Sequence, residues 1–162
     1  MDVPALLVLL QHVHETEGYP VRDEAVSPWW LTAAEKPGQP SRPELGGWVA
    51  LDGERVVGHV ALHPAAGPCL PLWLAGTGRG EEGIAVVSRL FTDRSIRGTG
   101  TALLQHAVRQ ARAHARSPVL EVDGVASPAY HWYLRRGWRE LGRVTQQWGH
   151  RTVDTAALEA PA

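Results

Sequence analysis

The stretch from Leu90 to Leu104, LFTDRSIRGTGTALL, constrains the fold more than any other part of the chain, because an extended run breaks there into a glycine-bearing turn and reopens as a helix. Gly98 and Gly100 lack Cβ atoms, so the backbone can take left-handed dihedrals and come close to a bulky anion. A helix leaves its first amides without intrahelical acceptors, and the positive end of its dipole lies in the same place. Together these features make a phosphate cradle that needs no metal. Arg97 adds a charged donor beside it, and Thr99 and Thr101 add hydroxyls. Beyond Gly98, the apolar residues Leu103, Leu104, Ala107, Val108 and Ala111 recur at helical spacing, while Gln105, Arg109, Gln110 and Arg112 take the other face. Spacing excludes two known phosphate loops: no Lys follows the second glycine as in a P-loop, and Ala102 and Leu103 stand where GxGxxG approaches its third glycine. Taken alone, these residues also fit a strand-to-helix connection that binds nothing.

A chain of 162 residues is long enough for one domain with a sizeable core and too short for two ordinary ones, so residues 1–162 are read as a single domain. The formal net charge of -1 and the lack of a basic run leave no electrostatic footprint for nucleic acid or an anionic membrane. Any phosphate site is then local. Cys69 is the sole cysteine, which excludes an intrachain disulfide, makes thiolate-ligated zinc a poor fit and matches a reducing compartment. The apolar run Ala5 to Leu10 is too short to span a bilayer, and Asp2 stands where a signal peptide wants positive charge. The expectation is an unexported, cytoplasmic protein; assembly into a homodimer stays open.

Taken in order, residues 4–17 begin with Pro4 and carry Leu6, Leu7, Leu10 and Val13 along one stripe, which predicts a helix packed on a sheet. His12 and His14 are two residues apart and diverge on that helix, a poor metal pair. Residues 18–47 are irregular and proline-rich, with one short helix expected from Pro28 to Glu35 behind Ser27 as N-cap. Asp52-Gly53 predicts a hairpin between strands Trp48 to Leu51 and Arg55 to His63. On the second strand His59 and His63 share a face, about 13 Å apart, too far to ligate one metal. Either can accept a proton or serve as a hydrogen-bonded structural histidine.

Residues 64–82 carry Pro64, Pro68, Pro71 and a glycine tract from Gly76 to Gly80; the tract has no helix pattern behind it and reads as a flexible loop, not a second phosphate site. A strand from Ile84 to Thr92 follows. After the long helix, Pro118 ends one element and Val119 to Val122 forms a strand parallel to the first. Ser127-Pro128 opens a short helix stopped by Gly137. Two last strands, Trp138 to Gln147 and Arg151 to Ala156, reverse near Gly149, and residues 157–162 read as a frayed tail.

The register Ser95-Ile96-Arg97-Gly98-Thr99-Gly100 resembles the phosphate loop of the GCN5-related N-acetyltransferase (GNAT) family, which is Gln or Arg, two residues, Gly, one residue, then Gly or Ala. Downstream, Leu120-Glu121-Val122 followed by Ala129, Tyr133, Gly137 and Trp138 is similar to the family's closing strand and helix, with Tyr four residues before Gly and an aromatic. Ser95 departs from the first pattern. Ala126 departs from the second, where the family often carries Asn. The two matches cover Ile84 to Arg143 in the right order.

The resemblance implies an α/β (α+β) fold, with a mixed, mostly antiparallel sheet splayed at a cofactor wedge and flanked by helices. Met1 to Val3 leaves no room for the family's usual first strand, so either that strand is missing or the start of a longer protein has been trimmed. It implies transfer of an acetyl group from acetyl-coenzyme A, without a metal, directly to a primary amine of a small molecule or peptide. The carrier would run along Leu90, Phe91 and Thr92, with its pyrophosphate on Ile96, Arg97, Gly98, Thr99, Gly100 and Thr101, and an amide near Leu90 would meet the thioester oxygen. Tyr133 would be the general acid, since a phenol near pKa 10 protonates a thiolate of about 8.5 only slightly uphill. Glu121 leads as base, with Glu81, Glu82, His59 and His63 as rivals. Trp29 and Trp30 would line the acceptor side, or else anchor a loop to the core. Asp23 or Glu24 would meet a cationic amine, and Glu82 joins the substrate-facing set. The alternative is a non-catalytic acyl-coenzyme A binding module of the same fold.

Overall fold

The computed structural model describes residues 3–20, 26–32, 44–124, 127–148 and 150–162. Its elements follow in the order α1 (Val3–Glu17), α2 (Pro28–Thr32), β1 (Gly46–Asp52), β2 (Arg55–Pro64), α3 (Leu70–Thr77), a 3-10 turn (Glu81–Gly83), β3 (Ile84–Thr92), α4 (Thr99–Ala113), β4 (Ser117–Asp123), α5 (Pro128–Leu134), β5 (Arg139–Trp148) and β6 (Arg151–Glu159). The strands form one six-stranded sheet in the order β1-β2-β3-β4-β6-β5. Strands β1 and β2, β4 and β6, and β5 and β6 pair antiparallel, while β3 and β4 pair parallel, so the sheet is mixed and mostly antiparallel. This is the expected fold class, and α1 is the first element among the described residues.

Two compact units divide the chain, residues 1–63 with 88–107 and residues 64–87 with 108–162, so that β3 and α4 contribute to both. In the first, the α1 stripe buries Leu6, Leu9, Leu10 and Val13 with Leu31 of α2 and Phe91 of β3. Each such side chain removed from water contributes about 2–3 kcal/mol. On the other face of β2, Gly58 lets α4 approach: a Cβ there would meet Leu103 Cδ1 at 2.8 Å and the Thr92 and Thr99 methyls at 3.0 Å. The β1–β2 hairpin turns one residue later than the Asp52-Gly53 signal suggests, with Asp52 paired to Arg55 across Gly53-Glu54.

In the second unit Cys69, Trp73, Ile84, Val86, Val119 and Ala157 form the core. Two sequence expectations fail here. The tract from Gly76 to Gly80 is a loop only beyond Thr77: Leu70 to Thr77 is a helix, with Pro71 in its first turn and left-handed Gly78 (φ 65°) as its C-cap, donating to the Leu74 carbonyl at 3.1 Å. LPLWLAGT is apolar on nearly every face and so shows no 3.6-residue stripe. Trp73 is buried and Leu70, Leu72 and Leu74 pack on the same core, which outweighs the proline and glycine signals.

Nor are residues 157–162 a frayed tail. Strand β6 runs to Glu159, Ala157 and Leu158 are fully buried, and the Ala160 amide donates to the Pro118 carbonyl at 3.0 Å. Pro118 accordingly lies inside β4, opposite Ala85, and ends nothing. The short helix α2 is described to Thr32, with the rest of the predicted Pro28 to Glu35 span outside the described residues. Helix α5 ends at Leu134, three residues before Gly137. The reversal at Gly149 and the position of Ala126 also lie outside the described residues.

Candidate active site

Strand β3 spans the predicted residues, and the turn after it is built by Asp93. The Asp93 amide donates to the Val57 carbonyl of β2 at 2.8 Å, anchoring the turn to the sheet. Its carboxylate accepts from the Ser95 amide at 2.9 Å, the Ser95 hydroxyl at 2.6 Å and Arg55 Nη1 at 3.0 Å. These donors hold the Asp93 carboxyl below its usual range, the Ser95 hydroxyl contributing most. Ser95, the departure from the family pattern, is thus a turn former. Asp followed two residues later by Ser is a local side-chain-to-backbone turn signal, and the sequence reading passed over it. Arg94 adds an ion pair to Glu17 at the end of α1, 2.8 Å.

Gly98 then takes φ 85°, a left-handed conformation that disfavours side chains, and a Cβ there would meet nothing within 4 Å. The Thr99 hydroxyl closes back on the Ile96 carbonyl at 3.1 Å, and the Ala102 amide makes the first helical bond, to Gly98 at 3.0 Å. The amides of Thr99, Gly100 and Thr101 therefore lie in the helix's first turn, and Arg97 and Gly98 are exposed beside them. This open glycine at a helix mouth fits a phosphate-bearing carrier. Along β3, Leu90 and Thr92 are half-buried and Phe91 is buried. The β3–β4 ladder comprises Ile84 with Ser117, Ala85 with Pro118 and Val86 with Val119, and stops there.

The same unit holds a polar and aromatic cluster that the sequence reading did not assemble. Arg89, in mid-strand, has φ 51°. Its guanidinium pairs with Glu44 at 3.0 Å, donates to His63 Nε2 at 3.0 Å and lies 5.3 Å over the Trp30 ring. Burial pulls Glu44 above and Arg89 below their ordinary values, each opposing the other's shift. Trp30 also meets Tyr19 edge-on at 5.9 Å and Phe91 at 6.4 Å. Burial drives the Tyr19 phenol well above its ordinary value. Trp30 thus anchors α2 to this core while bracing Arg89. Trp29 lies in α2 next to it, and Asp23 and Glu24 fall outside the described residues. The available signal was an arginine inside IAVVSRLFT, where an unpaired charge would be costly to bury.

His59 is fully buried on β2. Its Nδ1 donates to the Arg89 carbonyl at 2.9 Å and its ring stacks on Phe91 at 5.3 Å. Both strand histidines are therefore hydrogen-bonded within this cluster, and no metal-holding group of His, Cys, Asp or Glu occurs among the described residues.

In the second unit Ser127 caps α5, accepting from the Ala129 and Tyr130 amides. Tyr133 is half-buried, its ring edge-on to Trp132 at 5.0 Å and Trp138 at 5.5 Å. Tyr130 is buried and donates its hydroxyl to Glu140. Glu121 is exposed on β4 opposite Ala157 and accepts from Gln146 at 3.2 Å. Burial, with Glu121 nearby, pushes the Cys69 thiol up to about 12. Glu82 is exposed in the 3-10 turn.

The structure of Arabidopsis thaliana NAA60 in complex with acetyl-CoA is similar at 19% identity, over 96% of this chain and 93% of the other, with a TM-score of 0.66. That of yncA from Salmonella typhimurium with acetyl-CoA is similar at 15% identity, over 98% and 87%, with a TM-score of 0.65. A ribosomal-protein-alanine N-acetyltransferase from Brucella melitensis is similar at 22% identity, over 98% and 93%, with a TM-score of 0.63. At these identities the likeness is one of fold. No curated protein sequence matches the chain significantly. The sequence model of the Acetyltransferase (GNAT) family matches residues 8–138, from α1 through the α4 loop to the end of the α5 turn. The chain belongs to that acetyltransferase family, whose co-substrate is acetyl-coenzyme A.

Proposed function

We propose that the chain moves the acetyl group of acetyl-coenzyme A directly to a primary amine of a small molecule or peptide, as a single cytoplasmic N-acetyltransferase domain. The observation that carries this reading is the Asp93-built turn that delivers left-handed, uncovered Gly98 to the mouth of α4. Residues Ile96 to Thr101 would hold the pyrophosphate through backbone amides, with Arg97 as the nearby charge. Leu90, Phe91 and Thr92 would bind the pantetheine arm by main chain, which the early end of the β3–β4 ladder supports.

Bound acetyl-coenzyme A supplies an activated acyl carbon and a thiolate leaving group. The Leu90 amide donates to the carbonyl oxygen, stabilising charge that grows as the amine nitrogen bonds to the carbon and the C–S bond breaks. Glu121 takes the proton lost by the amine, and Tyr133 gives one to the departing sulfur. The products are the acetylated amine and the free thiol. Trp29, Trp30 and Glu82 face the acceptor in this reading, Trp30 doing so from the position in which it also braces Arg89.

Purified protein supplied with acetyl-coenzyme A and a broad amine panel is expected to release free thiol. Tyr133→Phe is expected to lower kcat by roughly a hundredfold while leaving carrier affinity within about threefold. Carrier binding without thiol release on any acceptor would favour the non-catalytic binding module instead.

A further inference from the structure

Three facts in the first unit meet at one peptide group. Arg89 interrupts β3 with a left-handed φ of 51°. Its carbonyl accepts a hydrogen bond from His59 Nδ1 of the neighbouring strand, 2.9 Å. His59 itself has no exposed surface, is stacked on Phe91, and has an Nε2 atom without a hydrogen-bond partner among the described residues.

A carbonyl oxygen only accepts, so His59 must carry its proton on Nδ1, and Nε2 is the bare nitrogen. Leaving a buried nitrogen unpaired is costly, and a phenylalanine of similar shape would stack on Phe91 without that cost. What histidine supplies here is one directed bond to one carbonyl. The 89–90 peptide is trans, Tyr19-Pro20 being the only cis bond among the described residues. In a planar trans peptide the C=O and the following N–H point in opposite directions. Fixing the Arg89 carbonyl toward the His59 imidazole therefore turns the Leu90 N–H away from that ring. Strand β3 lies between β2 and β4 in the sheet, and its ladder to β4 has ended three residues before Arg89, at Val86.

We propose that His59 is a positioning residue for acyl transfer: by holding the Arg89 carbonyl it aims the Leu90 amide at the thioester oxygen. The inference rests on the acetyl-transfer reading above. His59 touches neither carrier nor acceptor and exchanges no proton; its effect passes through the 89–90 peptide. Because the guanidinium of the same Arg89 is held separately by Glu44 and His63, losing His59 frees the carbonyl without freeing the side chain.

The test uses the intact protein with acetyl-coenzyme A carrying carbon-13 at the acetyl carbonyl. In the wild type the bound carbonyl stretch is expected to shift to lower frequency, and in His59→Phe to move back. His59→Phe is expected to lower kcat by about tenfold to a hundredfold, less than the roughly hundredfold to thousandfold cost of losing an oxyanion donor outright because the Leu90 amide remains, with the KM for acetyl-coenzyme A within about threefold. His59→Gln, whose amide N–H can reach the same carbonyl, is expected to recover part of both the shift and the rate. A merely structural role would not restore the carbonyl band in step with kcat.

An equal shift in wild type and His59→Phe, or an unchanged kcat, overturns the proposal. Should the phenylalanine variant not fold, nitrogen-15 NMR of the wild-type imidazole decides: the Nδ1–H form is expected, and an Nε2–H form overturns the proposal because it cannot donate to Arg89. Failure of the wild type to bind acetyl-coenzyme A removes the acetyl-transfer reading itself, whereas binding with an unshifted carbonyl removes only the role given to His59.

Discussion

Two side chains in the first unit carry predictions about acidity. Burial lowers the His59 pKa, with the Arg89 guanidinium acting in the same direction and the bond to the Arg89 carbonyl opposing. Charged or titratable Arg89, Glu44, His63 and Tyr19 make up the rest of that cluster. An unfolded chain takes up the histidine proton near pH 6.5, while the folded one resists until a lower pH. In that window the unfolded state binds more protons, so stability is full above it and falls as pH drops through it. Thermal unfolding from about pH 7.5 to about pH 5.5 is expected to show a falling midpoint, and His59→Phe a flatter one. Asp93 behaves as the ordinary carboxylate case. Its folded pKa is depressed by Ser95 and Arg55, so its contribution is present above the unfolded value near 4 and is lost as pH falls toward the folded one. Asp93→Ala is expected to cost about 1–3 kcal/mol in denaturant unfolding at neutral pH. If the turn it builds holds the carrier, the same change weakens acetyl-coenzyme A binding. An Asp93→Ala protein with wild-type stability would mean that the three donors on its carboxylate are worth nothing net.

At the scale of elements, the carrier site proposed above is the junction between β3 and α4. Gly98 stands in open space, so its intolerance of a side chain is conformational, whereas Gly58 has ordinary dihedrals and is crowded by Leu103, Thr92 and Thr99. Gly98→Asp is expected to raise the acetyl-coenzyme A dissociation constant at least about tenfold, through a strained turn and like charge beside phosphate, with calorimetric titration as the measurement. Gly58→Ala pushes against the first turn of α4 and is expected to destabilise by about 1–3 kcal/mol, the usual cost of overpacking, read in a urea titration. Strand β3 and helix α4 were legible because each has a clean period and a glycine marks their boundary. Helix α3 was not, since an element apolar all round carries no period and its sequence shows mainly prolines and glycines. Likewise β6 outran its expected end at Ala156, because the alanines and leucine that follow look neutral until β4 and β5 cover them.

Across the whole molecule, each compact unit has its own buried cluster, one closed by α1 and α2 and the other by α3. Members of this family bind a carrier that the unfolded chain does not, so acetyl-coenzyme A at about a hundred times its dissociation constant is expected to add about 2.7 kcal/mol and raise the unfolding midpoint by about 5–10 °C. A midpoint that stays put at saturating carrier would contradict that linkage. The sequence by itself determined β3, the glycine turn and α4, and through two spaced motifs the family with its mixed sheet, because those signals are local: a period, a glycine spacing, a capping serine. Tertiary structure alone decided that Asp93 builds the turn with Arg55, that Arg89 is held among Glu44, His63 and Trp30, and that His59 bonds a carbonyl thirty residues away. Burial and partner choice depend on which strands become neighbours, and no spacing along one strand encodes that.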